Sequence, residues 1–138
     1  MRKEKRVKIV VDTNLWISFL MSLPTEQRLR RLLLSGRIDI VFSKELFNEL
    51  EITAKRRKFY QYFDTEQVEM LLQMLMENVD VVDVCSVVKI CRDSKDNFLL
   101  ALAQDGDVDY LITGDRDLLM LKKFGKTKIV TLTAFENI

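Results

Sequence analysis

Carboxylates recur in this sequence at positions where their chemistry needs a reason. Asp12 directly follows the apolar, β-branched run Val-Lys-Ile-Val-Val at 7–11, and Asp115 follows the apolar run Tyr-Leu-Ile-Thr-Gly at 110–114. Asp96 opens the stretch Phe98-Leu-Leu-Ala-Leu-Ala103. On a helical wheel it shares a face with Leu99, Leu100 and Ala103. A carboxylate on a buried face needs a partner or a capping role. Glu49 lies at the margin of the face formed by Leu46, Phe47, Leu50 and Ala54, where plain solvation also explains it. Taken singly, the aspartates have structural explanations too. Asp12 can cap the helix after it, Asp93 or Asp96 the apolar helix, and Asp115 or Asp117 the short one, since helix N-termini favour negative charge. Taken jointly, acids gathered at strand ends and helix starts repel one another, which raises at least one pKa and destabilises the fold. A divalent cation resolves that conflict. Mg²⁺ takes a few carboxylates and keeps several waters. One ion, or two about 4 Å apart, can activate water and stabilise the leaving oxygen of a phosphodiester.

The composition narrows the alternatives. The chain contains no histidine, which removes the commonest general base and the commonest transition-metal ligand. Histidine-based ribonuclease chemistry, histidine-containing triads and histidine-ligated zinc are excluded. Hydrolysis must use carboxylates, Cys, Lys, Tyr or Ser, and oxygen ligands point to Mg²⁺ or Mn²⁺. Cys85 and Cys91 form no zinc pattern and read as reduced thiols in or near the core; a disulfide would be out of place in a cytoplasmic protein. Net charge is +1, so a nucleic-acid partner would have to meet the local basic patches at 2–8, 55–58 and 122–128 rather than a global field.

The elements that must position these groups follow from patterning. A length of 138 residues with 48% hydrophobic content suits a single domain over 1–138. The strongly apolar stretch at 15–23 is too short for a bilayer span, which needs about 20 residues. The basic start followed by an apolar run superficially resembles a signal peptide, but Asp12 and Asn14 interrupt it and no small-residue cleavage site follows. A soluble, cytoplasmic protein with no membrane partner is expected. Strands are expected at 7–11, 38–42, 110–113 and 129–132, with an exposed or edge strand at 79–84. Helices are expected at 15–21, from a start near Thr25 to a stop at Gly36, from a Ser43 cap to about 58, from a Thr65 cap over 66–78, at 95–104 and at 115–123. The alternation predicts an α/β fold, a three-layer α/β/α sandwich with a mostly parallel central sheet. Sites in such sheets lie at the carboxyl ends of the strands, which places Asp12 and Asp115 on one rim.

Four segments carry a family resemblance: Ile-Val-Val-Asp-Thr-Asn at 9–14, Ser-Lys-Glu-Leu-Phe-Asn-Glu-Leu at 43–50, Arg-Asp-Ser-Lys-Asp-Asn-Phe-Leu-Leu-Ala-Leu-Ala at 92–103 and Tyr-Leu-Ile-Thr-Gly-Asp-Arg-Asp-Leu-Leu at 110–119. In this order and spacing the chain resembles PIN-domain proteins over 7 to about 135, and most closely the bacterial and archaeal toxin components of toxin–antitoxin pairs. The resemblance implies endonucleolytic RNA cleavage around Mg²⁺ or Mn²⁺. It places the principal acids at Asp12, Glu49, Asp96 and Asp115, with Asp12, Asp96 and Asp115 as metal ligands and Glu49 as a ligand or an orienting group for water. Asp93 and Asp117 match accessory acids, and Thr13 and Asn14 match polar positions supporting the first acid. Lys95, Arg116, Arg56, Arg57 and Lys58 are candidates for phosphate contact. A homodimer and an antitoxin partner are implied as well. No principal acid is substituted. The alternatives are a catalytically silent PIN-like RNA-binding or assembly module and a haloacid-dehalogenase-type phosphatase. The latter needs a second Asp two residues after the first, where this chain has Asn14.

Overall fold

The computed structural model describes residues 6–138, so most of the basic cluster at 2–8 lies outside the described residues. Strand β1 (Val7–Val11) forms because its β-branched residues fit a sheet buried on both faces: Ile9, Val10 and Val11 are fully buried. Helix α1 (Thr13–Met21) follows at once, then α2 (Leu23–Leu34), β2 (Ile38–Phe42) and α3 (Lys44–Ala54). One 3₁₀ turn (Arg57–Phe59) leads to α4 (Thr65–Asn78) and the short β3 (Asp80–Val81). After a long extended segment come α5 (Ser94–Asp105), β4 (Tyr110–Ile112), α6 (Arg116–Leu121), β5 (Lys123–Phe124), β6 (Thr127–Val130) and α7 (Leu132–Glu136).

The described strands form a six-stranded sheet in the order β3-β2-β1-β4-β6-β5. All pairings are parallel except the β5–β6 hairpin, so the expected mostly parallel α/β sandwich is what the chain adopts. Two helices pack on α1, namely α2 and α3, and α3 meets α4, while α5 packs against β1 and α6 against β6. The chain runs outward from β1 to β2 and β3, then returns to place β4 on the other side of β1. The strand order therefore reverses between β1 and β4. That is the point where a crevice opens beyond the strand ends.

Several boundaries differ from the sequence expectation, each for a local reason. Helix α1 starts at Thr13, because Asp12 itself takes the extended N-cap conformation. The residue before α2 is Ser22, with Pro24 inside the first turn, rather than a cap at Thr25. Gly36 ends this region with φ +72°, a left-handed conformation that a side chain would strain. Ser43 does cap α3: its hydroxyl accepts the Leu46 N–H at 3.1 Å. That helix ends at Ala54, before the expected 58. The cap of α4 is Asp64, not Thr65, in a capping box with Gln67 (2.8 and 2.9 Å). The edge strand shrinks to Asp80–Val81, both residues exposed. The last central strand runs over Thr127–Val130, and α7 and β5 are additions that patterning missed. Cys85 and Cys91 are both free thiols.

Candidate active site

Each carboxylate owes its place to the element that carries it. Asp12 stands at the carboxyl end of β1 and is 8% exposed. It occupies the N-cap position of α1 without making a side-chain capping bond. Instead its Oδ2 accepts the Thr113 hydroxyl at 2.7 Å. Thr113, just past β4, in turn accepts the Asp115 N–H at 3.0 Å. A single hydroxyl thus ties the first acid to the backbone of the last across the strand-order reversal. Burial pushes the Asp12 carboxyl up, the Thr113 bond opposes this, the Thr13 and Asn14 amides oppose it further, and the Asp115 charge adds to the rise.

Asp115 is the cap of α6. Its Oδ1 accepts the N–H groups of Asp117 at 2.8 Å and Leu118 at 3.2 Å. Oδ2 makes no hydrogen bond among the described residues. Asp96 behaves differently. The cap of α5 is Asp93, which accepts the Lys95 N–H at 2.9 Å, so Asp96 is released from capping. It is 5% exposed on the face it shares with the buried Leu99, Leu100 and Ala103. Its Oδ2 is buried with no hydrogen-bond partner. Desolvation, followed by the charges of Asp115, Asp93, Asp12 and Asp117, pushes this carboxyl up to about 6.

Carboxylate oxygens of Asp96, Asp115 and Asp117 lie within 4.8 Å of one another. Asp117 is also held by Arg92, whose Nη2 donates to both oxygens at 3.0 Å. Glu49 reaches the site from α3. Lys95 pairs with it at 2.8 Å and Thr53 donates to it at 3.0 Å. Its burial raises the pKa, but these contacts and the Arg56 charge outweigh that and leave the carboxyl lowered. Asp12, Thr13, Asn14, Glu49, Asp93, Lys95, Asp96, Asp115, Arg56 and Lys58 all line one cleft of about 610 Å³. Asp117 adjoins the cleft through its carboxylate neighbours, while Arg57 and Arg116 are exposed and do not line it.

Two partners escaped the sequence reading. Thr113 carried a signal, a polar residue closing an apolar run, and the structure buries it. Arg92 carried none, because its pairing with Asp117 depends on how α6 is rotated. Thr113→Val keeps the shape but removes the hydroxyl, which leaves Asp12 Oδ2 and the Asp115 N–H unpaired. Outer contacts of this kind are worth about 10–100-fold in metal affinity or activity, so Mn²⁺ titration of this variant is expected to show that loss. Unchanged affinity would mean that Thr113 only fills space.

The donor set fits a hard divalent cation. All converging ligands are oxygens, one buried oxygen lacks a partner, and the repulsion among the acids needs a counter-charge. The neighbouring Cys91 thiol is pushed up, by burial first and then by Asp96 and the other aspartates, and it is not among the residues whose ligand atoms converge.

The sequence over residues 8–117 matches the family model described as PIN domain, and the chain belongs to the PIN-domain family. Members of that family are typically nucleases and generally use divalent metal ions. Among its relatives, the uncharacterized protein MJ1680 of Methanocaldococcus jannaschii is 26% identical over 131 residues, covering 88% of this chain and 79% of that protein. Among solved structures, a chain of VapBC2 from Rickettsia felis, bound to a DNA fragment from its promoter, superposes with a TM-score of 0.60. The match covers 89% of this chain and 97% of that one at 14% identity, a likeness of fold.

Proposed function

We propose that this chain is a single-domain, metal-dependent endoribonuclease that hydrolyses RNA phosphodiester bonds, and that it is the toxin component of a toxin–antitoxin pair. The observation that carries the metal reading is the partnerless, buried Oδ2 of Asp96 beside Asp115 and Asp117. Asp96 and Asp115, with Asp117 beside them and Asp12 aligned by Thr113, would hold Mg²⁺ or Mn²⁺. Such an ion supplies Lewis acidity at the phosphate and lowers the pKa of water. Asp12 and Glu49 line the cleft, where Glu49 would serve as a further ligand or as an acceptor that orients the attacking water. Lys95, Arg56 and Lys58 offer charge to the phosphates on either side of the scissile bond. Arg116 and Arg57 stand outside the cleft, where they would meet only a longer substrate.

The toxin assignment is supported by the fold shared with a chain of the Rickettsia felis VapBC2 complex. An antitoxin partner, a homodimer and a cytoplasmic location belong to the same reading. No helix among the described residues is long and apolar enough to cross a membrane.

Incubation of mixed RNA with the protein and Mn²⁺, with and without chelator, tests the activity. Fragments that appear with Mn²⁺ and vanish with chelator are expected; fragments that persist in chelator would contradict the metal-dependent mechanism. Metal binding is also expected to depend on pH. The cation competes with protons for Asp96, whose carboxyl titrates near 6. Below that value Mn²⁺ affinity should fall by about tenfold per pH unit. The rise in melting temperature caused by Mn²⁺ should thus be clear at pH 7.5 and nearly absent at pH 4.5. An equal rise at both would place the ion elsewhere.

A further inference from the structure

The segment after α3 carries features that the carboxylate chemistry does not use. Its sequence at 56–62 is Arg-Arg-Lys-Phe-Tyr-Gln-Tyr. The backbone is fixed rather than loose. The Phe59, Tyr60 and Tyr62 N–H groups donate to the Arg56, Arg57 and Phe59 carbonyls at 3.0, 3.0 and 2.9 Å, and the Phe63 N–H donates to Phe59 at 3.1 Å. Phe59 stacks on the buried Phe63 with ring centroids 5.4 Å apart and 18° between planes, which clamps the segment to the core. Against this fixed base, Tyr60 and Tyr62 are 67% and 55% exposed. Neither side chain makes a hydrogen bond or ring contact among the described residues. They are two of the three tyrosines in the chain, and packing gives no reason for two large rings to face water here. The same segment brings Arg56 and Lys58 to the wall of the carboxylate cleft, and Phe59 lines it as well.

Exposed aromatic rings carried on a held backbone and interleaved with cations are the elements of a platform for unpaired bases. Each base offers a π-face to a ring while the cations follow the phosphates. Paired bases already stack on each other and cannot use such rings. We propose that Tyr60 and Tyr62 form a stacking subsite that holds unpaired bases of an RNA strand. The neighbouring Arg56 and Lys58 would lead its backbone into the cleft. This inference rests on the ribonuclease reading for the identity of the cleft. Its test uses binding rather than cleavage, so the two can fail separately.

The test is fluorescence anisotropy of a labelled 12-nucleotide RNA in EDTA, where metal-dependent turnover is stopped. The same strand annealed to its complement is measured alongside. The wild-type protein is expected to bind the single strand more tightly than the duplex. Tyr60→Leu/Tyr62→Leu, which keeps apolar area but loses the π-faces, should bind the single strand about tenfold or more weakly and the duplex as before. Tyr60→Phe/Tyr62→Phe should bind like wild type, because stacking survives. The proposal is overturned if the leucine variant binds the single strand as tightly as wild type, if it loses equally on both ligands, or if wild type prefers the duplex. Both tyrosines are exposed, so these variants are expected to melt with the wild type, and a circular dichroism melt checks that each is folded before binding is scored.

Discussion

Asp96→Asn is expected to abolish metal-dependent RNA cleavage and, in the absence of metal, to make the protein more stable. Ordinarily a loss of function at a buried residue comes with a loss of stability. Here the sign is reversed, because the wild-type carboxylate is held in an unfavourable place. Its folded pKa is raised from 3.8 to about 6. The folded state therefore binds more protons than the unfolded state between roughly pH 4 and 6, and stability falls as pH rises through that window. Above about pH 6 the full penalty is present. Asparagine removes the charge but leaves a buried polar amide, so the expected net gain at pH 7.5 is on the order of 1–2 kcal/mol. With Mn²⁺ present the order should reverse, since wild type gains stability from binding and the variant gains much less. Thermal melts at pH 7.5, with and without Mn²⁺, read both signs. A variant less stable than wild type without metal would mean that Asp96 has a favourable partner, against the orphaned oxygen described above. The loss of cleavage is expected to be about 100-fold or more, the scale of removing a principal electrostatic contact.

The second large effect is structural. Phe42 ends β2, is fully buried, and packs its ring 4.5 Å from Phe47 and 6.1 Å from Trp16. It joins α1, β2 and α3 just before the Ser43 cap that starts the helix bearing Glu49. Phe42→Ala removes that joint and leaves a cavity, at a cost of about 3–5 kcal/mol. Urea unfolding should show the midpoint falling accordingly, with the cleft wall loosened. A cost below about 1 kcal/mol would mean that the neighbouring aromatics collapse into the space.

What is legible in the sequence depends on the kind of interaction. Strands β1, β2 and β4 were legible because their runs of β-branched and other apolar residues are buried, and the Ser43 cap because a hydroxyl precedes a helical pattern. The orientation of Asp96 was legible for the same reason: three turns of periodic apolar residues fix the buried face. Strand β5 and helix α7 were not, since two and five residues carry too little periodicity. The Asp64 cap is ambiguous in the sequence although Asp-x-x-Gln is a capping-box pattern, because Thr65 beside it competes for the role. In the site, local pattern placed Asp12 and Asp115 on one rim. The Thr113 bridge, the approach of Asp117 and the Lys95–Glu49 pair depend on which strands become neighbours and how helices turn, which no local spacing encodes. Lys95 illustrates this: from spacing alone it is a surface lysine, yet it neutralises the acid that α3 brings to the cleft.

RNA cleavage by wild type and Asp12→Asn with Mn²⁺ at pH 7.5 decides whether this carboxylate cluster is a metal-dependent nuclease centre. Fragments are expected from the wild-type protein, with a loss of about 100-fold or more in Asp12→Asn, while circular dichroism shows the variant folded. Cleavage by Asp12→Asn at the wild-type rate would contradict it. So would a wild-type protein that binds RNA and never cleaves it with Mg²⁺ or Mn²⁺.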